Sequence, residues 1–336
     1  MENKDKKRFI DYLTWAERET ESDLKIKYYT KAIEISPYYA IVYYNRGNVY
    51  FYKGDYDKAI EDYNKAIMLN PEHIETYNQL INVYQKRNEE DKIIEIYDKI
   101  IELMPDNIDS YFNRAKIHYK KENYDQALDD FNKIIQLNPD KADFYYYRGM
   151  CYSKKKEIDR AIDDYNKAIS LGFENCELYK DLGYIYEEKE DYDKAFENYS
   201  KSIKINPDYL AAYISRGFLY AYKGDYNKAI EDYNKVIKLS PEVSEFYYDR
   251  GLFYEMNHEY DKAFEDYNKA IKLNPNNGDS YFRLAAIYSI RKEKEKTFFY
   301  LEKALLLKPD LKKELESEKD FDNIKDEKKF KELTEK

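Results

Sequence analysis

Residues 40–73 read AIVYYNRGNVYFYKGDYDKAIEDYNKAIMLNPEH, and this stretch decides the fold. Tyr43, Gly47 and Tyr50 stand four and three residues apart, the spacing of one helical face. Gly47, small and in the middle of that face, lets a second helix come close. Lys53-Gly54-Asp55 breaks the run. A second periodic run follows through Ala59 and Tyr63 and stops at Asn70-Pro71. The acidic Asp55 suits the start of the second helix, where free N–H groups and the dipole favour negative charge. Two antiparallel helices result.

Pro71 carries the reading outward. All eight prolines, Pro37, Pro71, Pro105, Pro139, Pro207, Pro241, Pro275 and Pro309, lie at steps of 34 residues, with one double step whose midpoint is Phe173. A fixed period of this size marks a solenoid of one repeated supersecondary unit. Units begin at Lys6, Ala40, Ile74, Ile108, Ala142, Cys176, Leu210, Ser244 and Gly278. Position 4 of each is aromatic, from Phe9 to Tyr281, and position 24 is aromatic from Tyr29 to Tyr267, with Leu301 last. Position 8 is Gly in five units, as at Gly149 and Gly183, and position 20 is Ala in six. The repeat thereby assigns many of the 41 tyrosines to packing.

Tyr43-x2-Arg46-Gly47-x2-Tyr50, then Ala59-x3-Tyr63, then Pro71 resembles the tetratricopeptide repeat motif. The resemblance covers Lys6 to about Leu311 in nine units, leaving a polar tail at 1–5 and a cap and tail at 312–336. It implies an all-α protein, a right-handed α-solenoid (superhelix) of antiparallel helix pairs with a C-terminal capping helix. The Lys6 unit departs most, with Lys25 where Ala is usual. The Ile74 unit has Ile81, Ile93 and Ile100 at the small positions, so its helices are expected to pack further apart.

Two further columns vary together. Position 7 is Arg46, Arg114, Arg148, Arg216 and Arg250 in five units, and position 23 is Asp62, Asp130, Asp164, Asp232 and Asp266 in the same five. The pattern predicts an ion pair across the two helices of each unit, because a guanidinium near a core needs a carboxylate. An arginine ladder binding acidic ligands is the functional alternative. Position 26 is Lys in all nine units, usually with an acid four residues earlier, which predicts exposed i,i+4 pairs on the second helix.

The formal charge of -10 argues against a nucleic-acid backbone as the main partner. No stretch approaches the roughly 18 apolar residues of a membrane span. Met1 to Arg8 is polar, without the apolar core of a targeting signal. Cys151 and Cys176 make no disulfide framework, which suits a cytoplasmic protein. His73, His118 and His258 occupy three different repeat positions, seven of nine glycines fall at positions 8 or 15, and no cofactor, metal or catalytic arrangement is expected.

The family resemblance implies that first helices line a concave groove through positions 2, 5, 6, 9, 12 and 13. The candidate peptide-binding residues there are Tyr44, Asn48, Phe51, Asn82, Phe112, Asn113, Tyr146, Tyr147, Lys180, Tyr184, Phe218, Tyr248 and Phe282. Rigid aromatic area of this kind suits peptide recognition; packing between units is the competing use. The family's carboxylate clamp is matched at Asn82 and Asn113, but Asp143 stands where a lysine is needed. Six units carry an acid at position 2. A peptide with apolar anchors and neutral or basic flanks is the better fit.

These readings point to a scaffold or adaptor for a protein partner. A co-chaperone or assembly factor, and a sensor of a small ligand or signalling peptide, are the alternatives. Two irregularities add expectations. After Pro309, Leu311, Leu315, Phe321, Ile324 and Phe330 predict a cap over the last unit, and Trp15 is expected to seal the first. At the missing proline, Gly172 is expected in a left-handed conformation, with a local change of superhelix angle.

Overall fold

The computed structural model describes residues 3–335. The helices follow the 34-residue register. α1 (Asn3–Arg18) pairs with α2 (Ser22–Ile35), α3 (Ala40–Lys53) with α4 (Tyr56–Leu69), α5 (Ile74–Arg87) with α6 (Glu90–Leu103), α7 (Ile108–Lys120) with α8 (Tyr124–Leu137) and α9 (Ala142–Lys154) with α10 (Ile158–Ser170). These five pairs make one compact unit that ends at Phe173. The second unit begins at Glu174. It pairs α11 (Cys176–Glu188) with α12 (Tyr192–Ile205), α13 (Leu210–Tyr222) with α14 (Tyr226–Leu239), α15 (Ser244–Met256) with α16 (Tyr260–Leu273) and α17 (Gly278–Ile290) with α18 (Lys294–Leu307). α19 (Leu311–Ser317), a 3-10 turn (Lys319–Phe321) and α20 (Lys328–Glu335) close it. The unit boundary coincides with the gap in the proline series. α1 starts inside the stretch read as a tail.

Each pair turns in the same way. Position 15 has positive φ in eight units: Gly54, Asn88, Glu122, Lys156, Glu190, Gly224, His258 and Lys292. The amide of position 16 then donates to the carbonyl of position 11, as from Asp55 to Tyr50 at 2.9 Å and from Asp191 to Tyr186 at 2.9 Å. This is the Schellman closure, which satisfies carbonyls left over at the helix end. Position 16 next becomes the cap of the second helix, and the Asp191 and Asp225 side chains accept from the amides of Lys194 and Lys228.

Between the helices, the aromatic ring of position 24 lies on the glycine of position 8. A Cβ on Gly149 would stand 2.7 Å from the Tyr165 ring, and one on Gly183 would stand 2.5 Å from Tyr199. Tyr63, Tyr165, Tyr199, Tyr233, Tyr267 and Phe131 at position 24 are all essentially fully buried. In the Ile74 unit, where Ile81 faces Tyr97, the two helices approach least closely of the nine pairs, as the isoleucines require.

All five predicted ion pairs form, and each is a two-pronged fork. Arg46 meets Asp62 at 2.8 and 2.7 Å, and Arg250 meets Asp266 at 2.7 Å through both nitrogens. The carboxylate side chains are only 4–7% exposed. The third guanidinium nitrogen reaches position 25 of the preceding pair: Thr30, Asp98, Asn132, Ser200 and Asn234 in turn. The arginine therefore joins three helices, a role the sequence columns did not disclose. With every guanidinium committed in this way, the ladder is structural.

The lysine column corrects its prediction. Lys201 meets Glu197 at 3.4 Å across i,i+4. Lys167, Lys201, Lys269 and Lys303 instead lie over the position 4 rings of Tyr145, Tyr179, Tyr247 and Tyr281 at 5.4–5.9 Å. Position 4 tyrosines also fasten three of the proline junctions. Tyr145, Tyr213 and Tyr247 donate to the carbonyls of Pro139, Pro207 and Pro241 at 3.0–3.3 Å. Where proline is missing, Tyr179 donates to the Glu174 carboxylate at 3.1 Å. Gly172 has φ +87°, as expected.

The C-terminal segment continues the repeat register. Phe321 falls at position 10 of a would-be tenth unit, and its ring packs edge-on against Phe282 at 5.3 Å. Phe253 at position 10 meets Phe218, at position 9 of the preceding unit, edge-on at 5.7 Å. In both cases position 10 packs a ring on the preceding first helix, and the cap buries Leu311, Leu315, Phe321, Ile324 and Phe330. Trp15 packs on Tyr12 and Tyr28 but is 48% exposed, so it covers the first pair only in part.

Candidate functional site

Positions 2, 5, 6, 9, 12 and 13 share one face of each first helix, by the 3.6-residue period. Position 5 on that face is mostly spent on the next pair. Phe112 meets Phe144 and Tyr147 at 5.7 and 5.2 Å. Tyr146 is buried, stacked on Phe173 at 4.9 Å. Phe282 is buried under Phe321. Tyr146 and Phe282 are therefore closed to a ligand, Tyr146 by rings of its own repeat and Phe282 by the cap.

The other candidates divide into polar supports and open groups. Asn48 accepts from the Tyr63 hydroxyl at 2.7 Å. Lys180 pairs with Asp181. Tyr44 sits half-buried against His73 at 5.1 Å, Phe51 against Tyr56 at 5.9 Å, and Tyr147 stacks on Phe131. Asn82 and Asn113 are exposed. Tyr184 and Phe218 are 47% and 45% exposed. Tyr52 and Tyr222 at position 13 are more open still, at 82% and 71%.

The floor of this face in the second unit is acidic. Buried position 24 tyrosines need partners for their hydroxyls, and they find carboxylates. Tyr199 donates to Glu187 at 2.8 Å, Tyr267 to Glu255 at 2.6 Å, and Tyr233 to Asp249 at 3.0 Å. Burial pushes the Asp249 carboxyl up to about 6; the Tyr233 hydrogen bond opposes the shift and Glu245 adds to it. Burial likewise raises Glu255. Tyr248 is pushed up to about 12 by burial, with Arg283 opposing and Asp279 adding. Tyr209 reaches about 12 through burial and the charges of Glu177 and Asp181.

Among the described residues of the second unit, Arg283 is the one arginine at these positions. It lies 2.7 Å from Glu314 and 3.4 Å from Glu318 on the cap, and 3.7 Å from Glu255. Glu187, Asp249 and Glu255 were not among the sequence candidates. Their signal was present at positions 6 and 12, where acids stand opposite a position 24 tyrosine. Among the described residues, no group of three or more His, Cys, Asp or Glu is placed to hold a metal ion. No described helix is long and apolar enough to cross a membrane.

Comparison with known proteins agrees with this geometry. A tetratricopeptide repeat profile matches residues 40–73, 108–141, 142–172, 176–209, 211–243 and 244–277, and a second tetratricopeptide repeat profile matches 266–297. Among solved structures, the C-terminal part of a TPR repeat-containing protein from Cytophaga hutchinsonii is 22% identical. That match covers 72% of this chain and 99% of the other, with a TM-score of 0.62. A tetratricopeptide repeat protein from Parabacteroides merdae is 20% identical over 79% of this chain and 98% of its own, with a TM-score of 0.53. PilF of Pseudomonas aeruginosa is 17% identical over 60% and 92%, with a TM-score of 0.51. At these identities the structures speak to the fold alone. Comparison with curated proteins returns no match. The matched repeats span more than half of the sequence, and the chain belongs to the tetratricopeptide repeat family.

Proposed function

We propose that this protein is a non-enzymatic scaffold or adaptor whose first-helix face holds an extended segment of a partner protein. The observation that carries the reading is the set of aromatic groups left open after repeat packing is satisfied: Tyr52, Tyr184, Phe218 and Tyr222. Such rings supply rigid contact area at low entropic cost. Asn82 and Asn113 add exposed amides for backbone recognition. The clamp that grips acidic C-termini is not supported, since Asp143 stands where lysine would be needed. A cytoplasmic site of action belongs to the same proposal, and the unpaired Cys151 and Cys176 suit it.

Affinity purification with mass spectrometry tests the reading. A partner recovered with the wild type should be lost from the Tyr52→Ala/Tyr184→Ala/Tyr222→Ala variant, whose exposed substitutions leave the repeats folded. Recovery of the same partner set with both proteins would contradict it.

A further inference from the structure

The first-helix face does not carry the same charge in the two units. In the four repeats from Ala40 to Phe173, its six positions hold three acids, Glu75, Asp109 and Asp143, against four lysines. In the four repeats from Cys176, the same positions hold eight acids against two cations. Both cations are already matched, Lys180 by Asp181 and Arg283 by Glu255, Glu314 and Glu318. The excess is therefore negative and local to the second unit.

Asp249 concentrates that excess. Its hydrogen-bond donor is the neutral Tyr233 hydroxyl at 3.0 Å, and the charge acting on it, Glu245, has its own sign. It borders a cleft of about 510 Å³ lined by Glu245, Tyr248, Asn276, Asn277, Asp279 and Lys308, the last two paired with each other at 2.8 Å. A carboxylate taken partly out of water without a cation is costly, and an ammonium or guanidinium arriving with a ligand removes that cost. The open rings of Tyr184, Phe218 and Tyr222 on the same face are suited to apolar contacts and to cations over their faces.

We propose that the first-helix face of the second unit binds a basic segment of the partner, an extended stretch in which Lys or Arg alternates with apolar side chains. This rests on the reading of that face as the partner-binding surface. The cation-bearing side chains meet Glu177, Glu245 and Asp249, and the apolar ones lie on the rings.

Fluorescence anisotropy on the full chain tests the idea with three labelled peptides of one apolar pattern, carrying Lys, Gln or Glu at the alternate positions. The Lys peptide should bind about 10-fold or more tighter than the Gln peptide, and more weakly as salt rises, while the Glu peptide stays unbound. Glu177→Gln/Glu245→Gln/Asp249→Asn should erase the preference. Glu197→Gln/Glu231→Gln/Glu265→Gln, on the second helices, should retain it. Circular dichroism of both variants, with Asp249→Asn alone as a milder third, separates lost binding from lost folding. Equal effects of the two triple variants would overturn the proposal by reducing it to net charge. Equal binding of Lys and Gln peptides, lost in Tyr184→Ala/Phe218→Ala/Tyr222→Ala, would overturn it and leave the scaffold reading standing. Failure of all three peptides to bind would also overturn it, and the partner-capture experiment would then judge the scaffold reading alone.

Discussion

Position 15 is where single residues carry a backbone cost. Glu122, Lys156, Glu190 and Lys292 hold φ of 60–62° there, the place that Gly54 and Gly224 occupy in other repeats. A left-handed conformation costs a side-chain-bearing residue about 1–2 kcal/mol, and glycine gives part of that back as chain entropy. Glu190→Gly should therefore raise stability by about 0.5–1 kcal/mol, read from the urea midpoint; a lower midpoint would contradict the turn geometry. Asp249 carries a cost of another kind. Its folded carboxyl titrates near 6, above the ordinary aspartate value, so its ionisation weakens the fold as pH rises through that value. Below the ordinary range, folded and unfolded forms are both protonated and the penalty is gone. Asp249→Asn keeps an acceptor for Tyr233, so it should melt higher than the wild type at pH 7.5, by a margin that shrinks as pH falls toward 4. A constant difference across that range would show that Asp249 is not perturbed as described.

At the scale of elements, the arginine fork decides how pairs join. Arg148 is 20% exposed and Asp164 7%, so removing one partner strands a charge. Asp164→Ala should cost about 3 kcal/mol, while Arg148→Leu/Asp164→Ile should stay within about 1 kcal/mol of wild type. The Ile74 repeat already packs Leu80 and Ile96 at these two positions. Equal losses in the single and double variants, measured by denaturant unfolding, would sink this account. The fork was legible in the sequence because Arg and Asp lie in one 34-residue window and vary together. The third contact was not, because position 25 holds a short polar residue whether or not an arginine follows, as Asn64 does before Leu80 and Asn166 before Leu182. Similarly, periodicity places Phe112, Tyr146 and Phe282 at the right angle around their helices but is silent on which rings lie over them. The Phe173 turn lacks the proline and the tyrosine-to-proline bond of other junctions. Its amides at 170–176 should exchange hydrogen faster than those at 206–210; equal rates would count against a weaker joint.

Across the whole chain, repetition separates structural from functional groups. Columns that recur through the repeats build the helix pairs, and departures from the columns mark the surface. Tyr52, Tyr184, Phe218 and Tyr222 stay open after packing is satisfied, and acids collect on the first helices of the second unit. The nine helix pairs and their register could be read from prolines alone. The acids of the floor stand in the sequence at positions 6 and 12, but their part in the packing shows only when the buried tyrosine hydroxyls are traced to Glu187, Asp249 and Glu255. The central claim is that a partner lies along the first helices. Photo-crosslinking tests it most directly, with a photoreactive residue placed in turn at Asn82, Asn113 and Phe218, and at Glu197 and Glu231 on second helices. The account predicts adducts to one partner from the first three sites and none from the last two. Adducts from the second-helix sites, with the first-helix sites silent, would contradict it.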